Sequence, residues 1–215
     1  MRVPPLLLVT PGDDRRLEPW IEALGHAGAP AVLLREPSRP RAEVQRLAGL
    51  AESVGMVVVL HDRHPDARAA RWPVHLPGDG RAPPVDRPWG VSCHEIDEVR
   101  RRLAQGAAYA LLSPVWPPTS KPDDRRPALG LAPFEALGPA RSRVLALGGL
   151  SPARLEQALS VGAAGGAVLG DVFGRATPAE GAERVRAYLA VASLVGSGSD
   201  SPSLGATGSN TNSSS

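Results

Sequence analysis

The chain has 215 residues, 42% of them hydrophobic, a formal net charge of +2 and a single cysteine, Cys93. These figures fit a soluble globular protein and exclude an internal disulfide. Basic residues are interleaved with Asp and Glu rather than clustered, so no nucleic-acid partner is expected, and no apolar run reaches the roughly 20 residues of a membrane span. The run Leu6–Val9 is too short for a signal peptide's apolar core, which makes a cytoplasmic location the expectation.

Short apolar runs recur along the chain. They are Leu6–Thr10, Ala31–Arg35, Met56–His61, Val74–Leu76, Gly90–Cys93, Tyr109–Ser113, Val144–Leu147 and Ala167–Leu169. Continuous runs of this length suit strands buried on both faces, as in a parallel sheet. Helical patterns separate most of them. Trp20, Ile21 and Leu24 make one apolar stripe, and Val44, Leu47 and Ala51 make another. Ile96, Val99 and Leu103 share a face, with acidic residues early and Arg100 to Arg102 late, which complements the helix dipole. Ser151-Pro152 is a helix start: a capping hydroxyl, then a proline whose missing N–H does no harm. Glu180 to Ala192 reads as the last helix. Residues 66–70 offer barely one turn, and 78–88 are too rich in proline and glycine for a helix.

From residue 194 onward Ser, Gly, Asn and Thr dominate. Such a stretch buries too little apolar surface to offset its ordering entropy, so 194–215 is expected to be a disordered tail. Residues 1–193 are then one α/β domain. Eight strand units leave a closed (β/α)8 TIM barrel or an open doubly wound sheet. No Gly-x-Gly-x-x-Gly follows the first strand, which favours the barrel over a dinucleotide-binding fold.

In a barrel, functional groups sit at the carboxyl ends of strands. Those positions here are polar: Thr10, Arg35-Glu36, His61-Asp62-Arg63, Ser92-Cys93-His94, Ser113 and Gly148-Gly149. The glycine pair Gly148-Gly149, with Gly170 after the eighth strand, points to a phosphate held by backbone N–H groups; tight barrel turns are the alternative reading. Lys121 is the one lysine among 24 basic side chains, a compact charge suited to phosphate. Arg35 is a candidate anion clamp, or else an ion-pair partner of Glu36. His61 and His94 are candidate acid–base groups because their ordinary pKa lies near neutrality. His75 reads as structural. Asp62 could hold Mg²⁺. Cys93 and His94 are adjacent on a strand and should face opposite ways, so they do not form a nucleophile pair.

In this order Leu6–Thr10, Leu34-Arg35-Glu36, His61-Asp62-Arg63, Val74-His75-Leu76, Gly90 to His94, Ser113 to Lys121, Gly130-Leu131 and Ala146 to Leu150 resemble the thiamine phosphate synthase/TenI family. The resemblance implies a (β/α)8 barrel. It implies one of two activities: Mg²⁺-dependent joining of a pyrimidine diphosphate to a thiazole phosphate, or metal-free tautomerisation of a thiazole phosphate. It assigns the thiazole phosphate to Gly148, Gly149 and the backbone around Gly170. Arg35, Ser92 and Lys121 match synthase contacts to diphosphate, and Asp62 matches a magnesium ligand.

The departures fall on the diphosphate half. The synthase pattern Gln-Leu-Arg-x-Lys is here Leu33-Leu34-Arg35-Glu36-Pro37, and the asparagine before the metal aspartate is His61. The second metal aspartate falls at Gly80, with Asp79 one place early. Losing a cation and a metal carboxylate should weaken a diphosphate site. The expectation is therefore a TenI-like tautomerase of a phosphorylated thiazole with no cofactor. The histidine carried by the tautomerase type is Pro114, so His61 is expected to serve as base, with His94 second. The alternatives are a divergent synthase using Mg²⁺ and a non-catalytic binder of thiazole phosphate. A homo-oligomer is compatible with the sequence.

Overall fold

The computed structural model describes residues 3–82, 87–117 and 126–198, with side chains up to residue 195. Eight parallel strands close into a barrel in chain order: β1 (Leu6–Val9), β2 (Ala31–Leu34), β3 (Val57–His61), β4 (Val74–Leu76), β5 (Trp89–Cys93), β6 (Tyr109–Leu112), β7 (Val144–Leu147) and β8 (Gly165–Val168). The closing pair sets Leu6, Leu7 and Leu8 beside Gly166, Ala167 and Val168. The helices are α1 (Glu18–His26), α2 (Arg41–Ser53), α3 (Ile96–Ala104), α4 (Ala132–Ala136), α5 (Pro152–Ser160), α6 (Gly170–Phe173) and α7 (Pro178–Gly198). Among the described residues no helix joins β3 to β4 or β4 to β5, as proline, glycine and the short spacer foretell.

Alternation sorts each strand into two faces. One set, including Leu7, Val9, Leu33, Val59, Tyr109, Leu111, Leu145 and Ala167, packs inside the barrel. The other, including Leu8, Val32, Leu60, Val91, Leu112 and Ala146, packs beneath the helices. Cys93 belongs to this outer layer and is fully buried; burial pushes its thiol up to about 12, so it is no nucleophile. Gly90 faces inward where a Cβ would collide with the Tyr109 ring.

β8 begins at Gly165, and the side-chain space at Gly166 is filled by Leu150 and Leu155. Two boundaries differ from expectation. Gly170, expected to end that strand, opens α6 instead, since the backbone leaves the extended region at Leu169 (φ −123°, ψ −70°). At the other end, α7 continues to Gly198, past the boundary expected at 193; residues 199–215 of the expected tail lie outside the described residues. α5 starts as its sequence specifies: the Ser151 hydroxyl accepts the Arg154 N–H at 3.3 Å, with Pro152 in the first turn. No helix among the described residues is long and apolar enough to cross a membrane.

Candidate active site

The carboxyl ends of the strands open onto a cavity of about 730 Å³, a size suited to a small molecule. Arg35, His61, Ser92, His94 and Gly148 line it, as does Asp79. Asp62, Gly149 and Gly170 do not reach its wall. Lys121 lies outside the described residues. Arg63, named before only as part of the polar end of β3, and Arg126, which sequence reasoning did not single out, add to the wall, and Glu98 lines it too. A chain this rich in arginine gives no signal for which of its arginines turn inward. Among the described residues, three guanidiniums and two carboxylates line the wall, and Arg35 and Arg63 lend it positive potential that favours an anion.

Arg35 is directed to the cavity by its strand. Its backbone N–H donates to the buried Thr10 hydroxyl at 2.9 Å, and its Nη1 donates to the Pro11 carbonyl at 3.2 Å. Glu36, one residue on, turns the other way, is buried, and accepts from Arg39 at 2.7 Å. The neighbouring ion pair is therefore not made, and Arg35 faces the ligand space.

His61 ends β3 and is buried. Burial, then the cations Arg35 and Arg63, push its imidazole down to about 4. Its Nδ1 accepts the backbone N–H of Arg63 at 3.1 Å. The neutral ring therefore carries its proton on Nε2 and acts as a hydrogen-bond donor. His94 has the opposite polarity. Its Nδ1 donates to the Ser113 carbonyl at 2.7 Å, and Arg126 Nη1 lies close to both ring nitrogens, 2.8 Å from Nδ1 and 3.0 Å from Nε2. Its own backbone N–H is held by Glu98 at 2.8 Å.

His75 on β4 is completely buried and also lines the cavity. Its Nδ1 lies 3.0 Å from the Tyr109 hydroxyl and its Nε2 lies 2.9 Å from the Ser92 hydroxyl. Burial keeps its ring neutral, down to about 3. The structural reading of His75 omitted that it lines the cavity and contacts Ser92 there.

Gly148 and Gly149 both have left-handed backbone, at φ 99° and 58°. A Cβ at Gly148 would lie 3.0 Å from Pro114, and one at Gly149 would lie 2.9 Å from Trp116 Cβ. These glycines therefore let the segment after β6 lie directly on the end of β7, and Gly148 also borders the cavity.

The thiamine monophosphate synthase family model, TMP-TENI, matches residues 6–172. The chain belongs to this family. A thiamine-phosphate synthase of Halorhodospira halophila is 30% identical over 186 residues, covering 79% of this chain and 87% of the relative. One of Acidothermus cellulolyticus is 31% identical over 199 residues, covering 84% and 93%. In fold, the chain is similar to the thiamine phosphate pyrophosphorylase of Pyrococcus furiosus, with a TM-score of 0.69, 22% identity and coverage of 88% and 96%. The chain is thus an enzyme of a thiamine-biosynthesis family built on the TIM barrel.

Synthase activity in this family implies Mg²⁺, and the side chains present can be tested for it. Both Asp62 oxygens accept from one guanidinium, Arg68 Nε at 2.6 Å and Nη2 at 2.7 Å. Asp79 lines the cavity and Asp62 does not. Among the described residues, no group of three or more His, Cys, Asp or Glu side chains is placed to hold a metal ion. The described donor set does not fit magnesium in this arrangement, because its principal carboxylate already has a cation.

Proposed function

We propose that the chain binds a thiazole phosphate in the barrel mouth and aromatises its ring as a tautomerase. The observation that supports this reading is the pairing of two imidazoles with opposite roles at Nδ1 on one cavity: His61 Nδ1 accepts the Arg63 N–H, while His94 Nδ1 donates to the Ser113 carbonyl. Tautomerisation moves a proton from one substrate atom to another and needs no second substrate. His94 Nε2 takes the proton from the ring carbon, and the Ser113 carbonyl steadies the imidazolium that forms. The same nitrogen then returns the proton at the new position. His61, held neutral, donates a hydrogen bond to the charge that develops meanwhile. Arg126 moves from His94 to the substrate's anionic group, and Arg35 and Arg63 complete its neutralisation. Roles are thus exchanged relative to the sequence expectation: His94 becomes the base and His61 the donor.

A synthase is the second reading. It is favoured by the relatives named thiamine-phosphate synthase and by Arg35, Ser92 and Asp79 sharing the wall. One pair of assays separates the readings. Thiazole carboxylate phosphate supplied alone should change its ultraviolet spectrum as the ring aromatises. His94→Ala should lower turnover by about 10²–10⁴-fold, the usual worth of a positioned base. Diphosphate release from pyrimidine diphosphate plus thiazole phosphate, dependent on Mg²⁺, with no spectral change in the first assay, would establish the synthase instead. Tight calorimetric binding with neither reaction would make the chain a non-catalytic binder.

A further inference from the structure

We infer that Tyr109 and His75 form a one-directional hydrogen-bond relay that holds Ser92 as a hydrogen-bond donor toward the cavity. The three residues stand on adjacent strands β6, β4 and β5, all facing inward; Gly90 of β5 lies between His75 and Tyr109 in register, and Ser92 is the next inward position along that strand. The relay runs from Tyr109 in the barrel interior, through His75, to Ser92 on the cavity wall. The Tyr109 and His75 rings stack with centroids 5.6 Å apart, and the missing side chain at Gly90 makes the space Tyr109 occupies.

Direction follows from counting protons. A neutral phenol, imidazole and hydroxyl bring one polar hydrogen each. Among the described residues the Tyr109 hydroxyl has one hydrogen-bond partner, His75 Nδ1. If His75 donated from Nδ1, the phenol hydrogen would point into an apolar interior without an acceptor, which is costly. Tyr109 therefore donates to Nδ1, which places the imidazole hydrogen on Nε2. Nε2 donates to the Ser92 oxygen at 2.9 Å. The Ser92 hydrogen then has nothing to give to His75 and turns to the ligand. Full burial keeps the imidazole singly protonated, so the relay does not reverse by charging. Each donation also polarises the next. Tyr109 and His75 are thus positioning residues, and they demand a hydrogen-bond acceptor on the ligand at Ser92, such as a phosphate or carboxylate oxygen.

The choice of ligand rests on the anion-binding reading of the cavity, but the relay itself does not, and two measurements keep them apart. Imidazole ¹⁵N shifts of His75 in the full chain, assigned by their loss in His75→Gln, should show Nε2 protonated and Nδ1 bare from about pH 5 to 8. A protonated Nδ1 overturns the relay whatever the cavity binds. Affinity for thiazole phosphate is then compared in Ser92→Ala, Tyr109→Phe and the double variant. Ser92→Ala should weaken binding about tenfold, Tyr109→Phe by a smaller factor, and the double variant no more than Ser92→Ala alone. Factors that multiply in the double variant would show that Tyr109 acts independently of Ser92 and overturn the inference. Failure of the native chain to bind thiazole phosphate would count against the proposed substrate, and the ¹⁵N result would still decide the relay.

Discussion

At the scale of single residues, the pair Asp62–Arg68 decides most. A carboxylate that accepts two charge-assisted hydrogen bonds from one guanidinium has its strongest acceptor directions filled. Arg68 also donates to the Arg81 carbonyl at 3.1 Å, so it is tied to the loop beyond β4 and not merely resting on Asp62. Mg²⁺ would have to displace an arginine that is already fitted to this aspartate. Arg68→Ala should therefore raise the affinity of the chain for Mg²⁺, read by titration calorimetry without substrate. Equal affinities in the two proteins would mean that Arg68 does not compete with a metal. This pair was invisible in the sequence, where its members lie six positions apart in a stretch with no regular period. That His61 and His94 line the cavity was legible because each polar side chain follows an apolar run. The hydrogen bonds that set their two rings apart were not, because they involve a backbone N–H at Arg63 and a carbonyl at Ser113 that only the folded loops bring to the rings.

At the scale of elements, the last helix joins the two loops that the family resemblance assigns to phosphate. The buried Tyr188 hydroxyl on α7 lies 3.0 Å from the Leu150 carbonyl, just after Gly148-Gly149, and 2.9 Å from Asp171 Oδ2 in α6. Arg184, one turn earlier, donates to the same aspartate oxygen at 2.6 Å, and Arg175 pairs with its other oxygen. The spacing between the β7 and β8 loops is thus set from outside the barrel. Tyr188→Phe removes the hydroxyl and leaves the ring packing in place. It should cost about 1–3 kcal/mol in urea unfolding, since Asp171 and Leu150 lose a buried partner. It should also weaken thiazole phosphate binding more than catalysis. Unchanged unfolding midpoint and affinity would show that the loops keep their spacing without it. The strands themselves were readable because a parallel barrel buries both faces and leaves apolar runs. The end of α7 was missed because Ser193, Gly196 and Gly198 resemble the polar stretch that follows.

At the scale of the whole molecule, closing the barrel over two neutral histidines makes its stability depend on acid. His61 and His75 protonate near 6.5 when unfolded, but burial lowers them to about 4 and about 3 in the barrel. Between those limits the unfolded chain binds more protons than the folded one. The folded state therefore keeps its full margin above about pH 6.5 and loses it as pH falls, with a slope approaching roughly 2–3 kcal/mol per pH unit for two protons. Carboxylates titrate later. Asp13, lowered by its Arg15 hydrogen bond, and Glu18, lowered by its own backbone N–H, lose their stabilisation below the carboxylate range. The window from about pH 6.5 to 5 belongs to the histidines. Urea unfolding across that window should show falling stability, and His75→Gln should flatten the slope by about one proton even if it lowers stability at every pH. Comparing slopes rather than stabilities separates the buried charge from lost packing. A slope unaffected by His75→Gln would mean that this histidine accepts its proton inside the barrel, which would also remove the neutral ring on which the Tyr109–Ser92 relay depends.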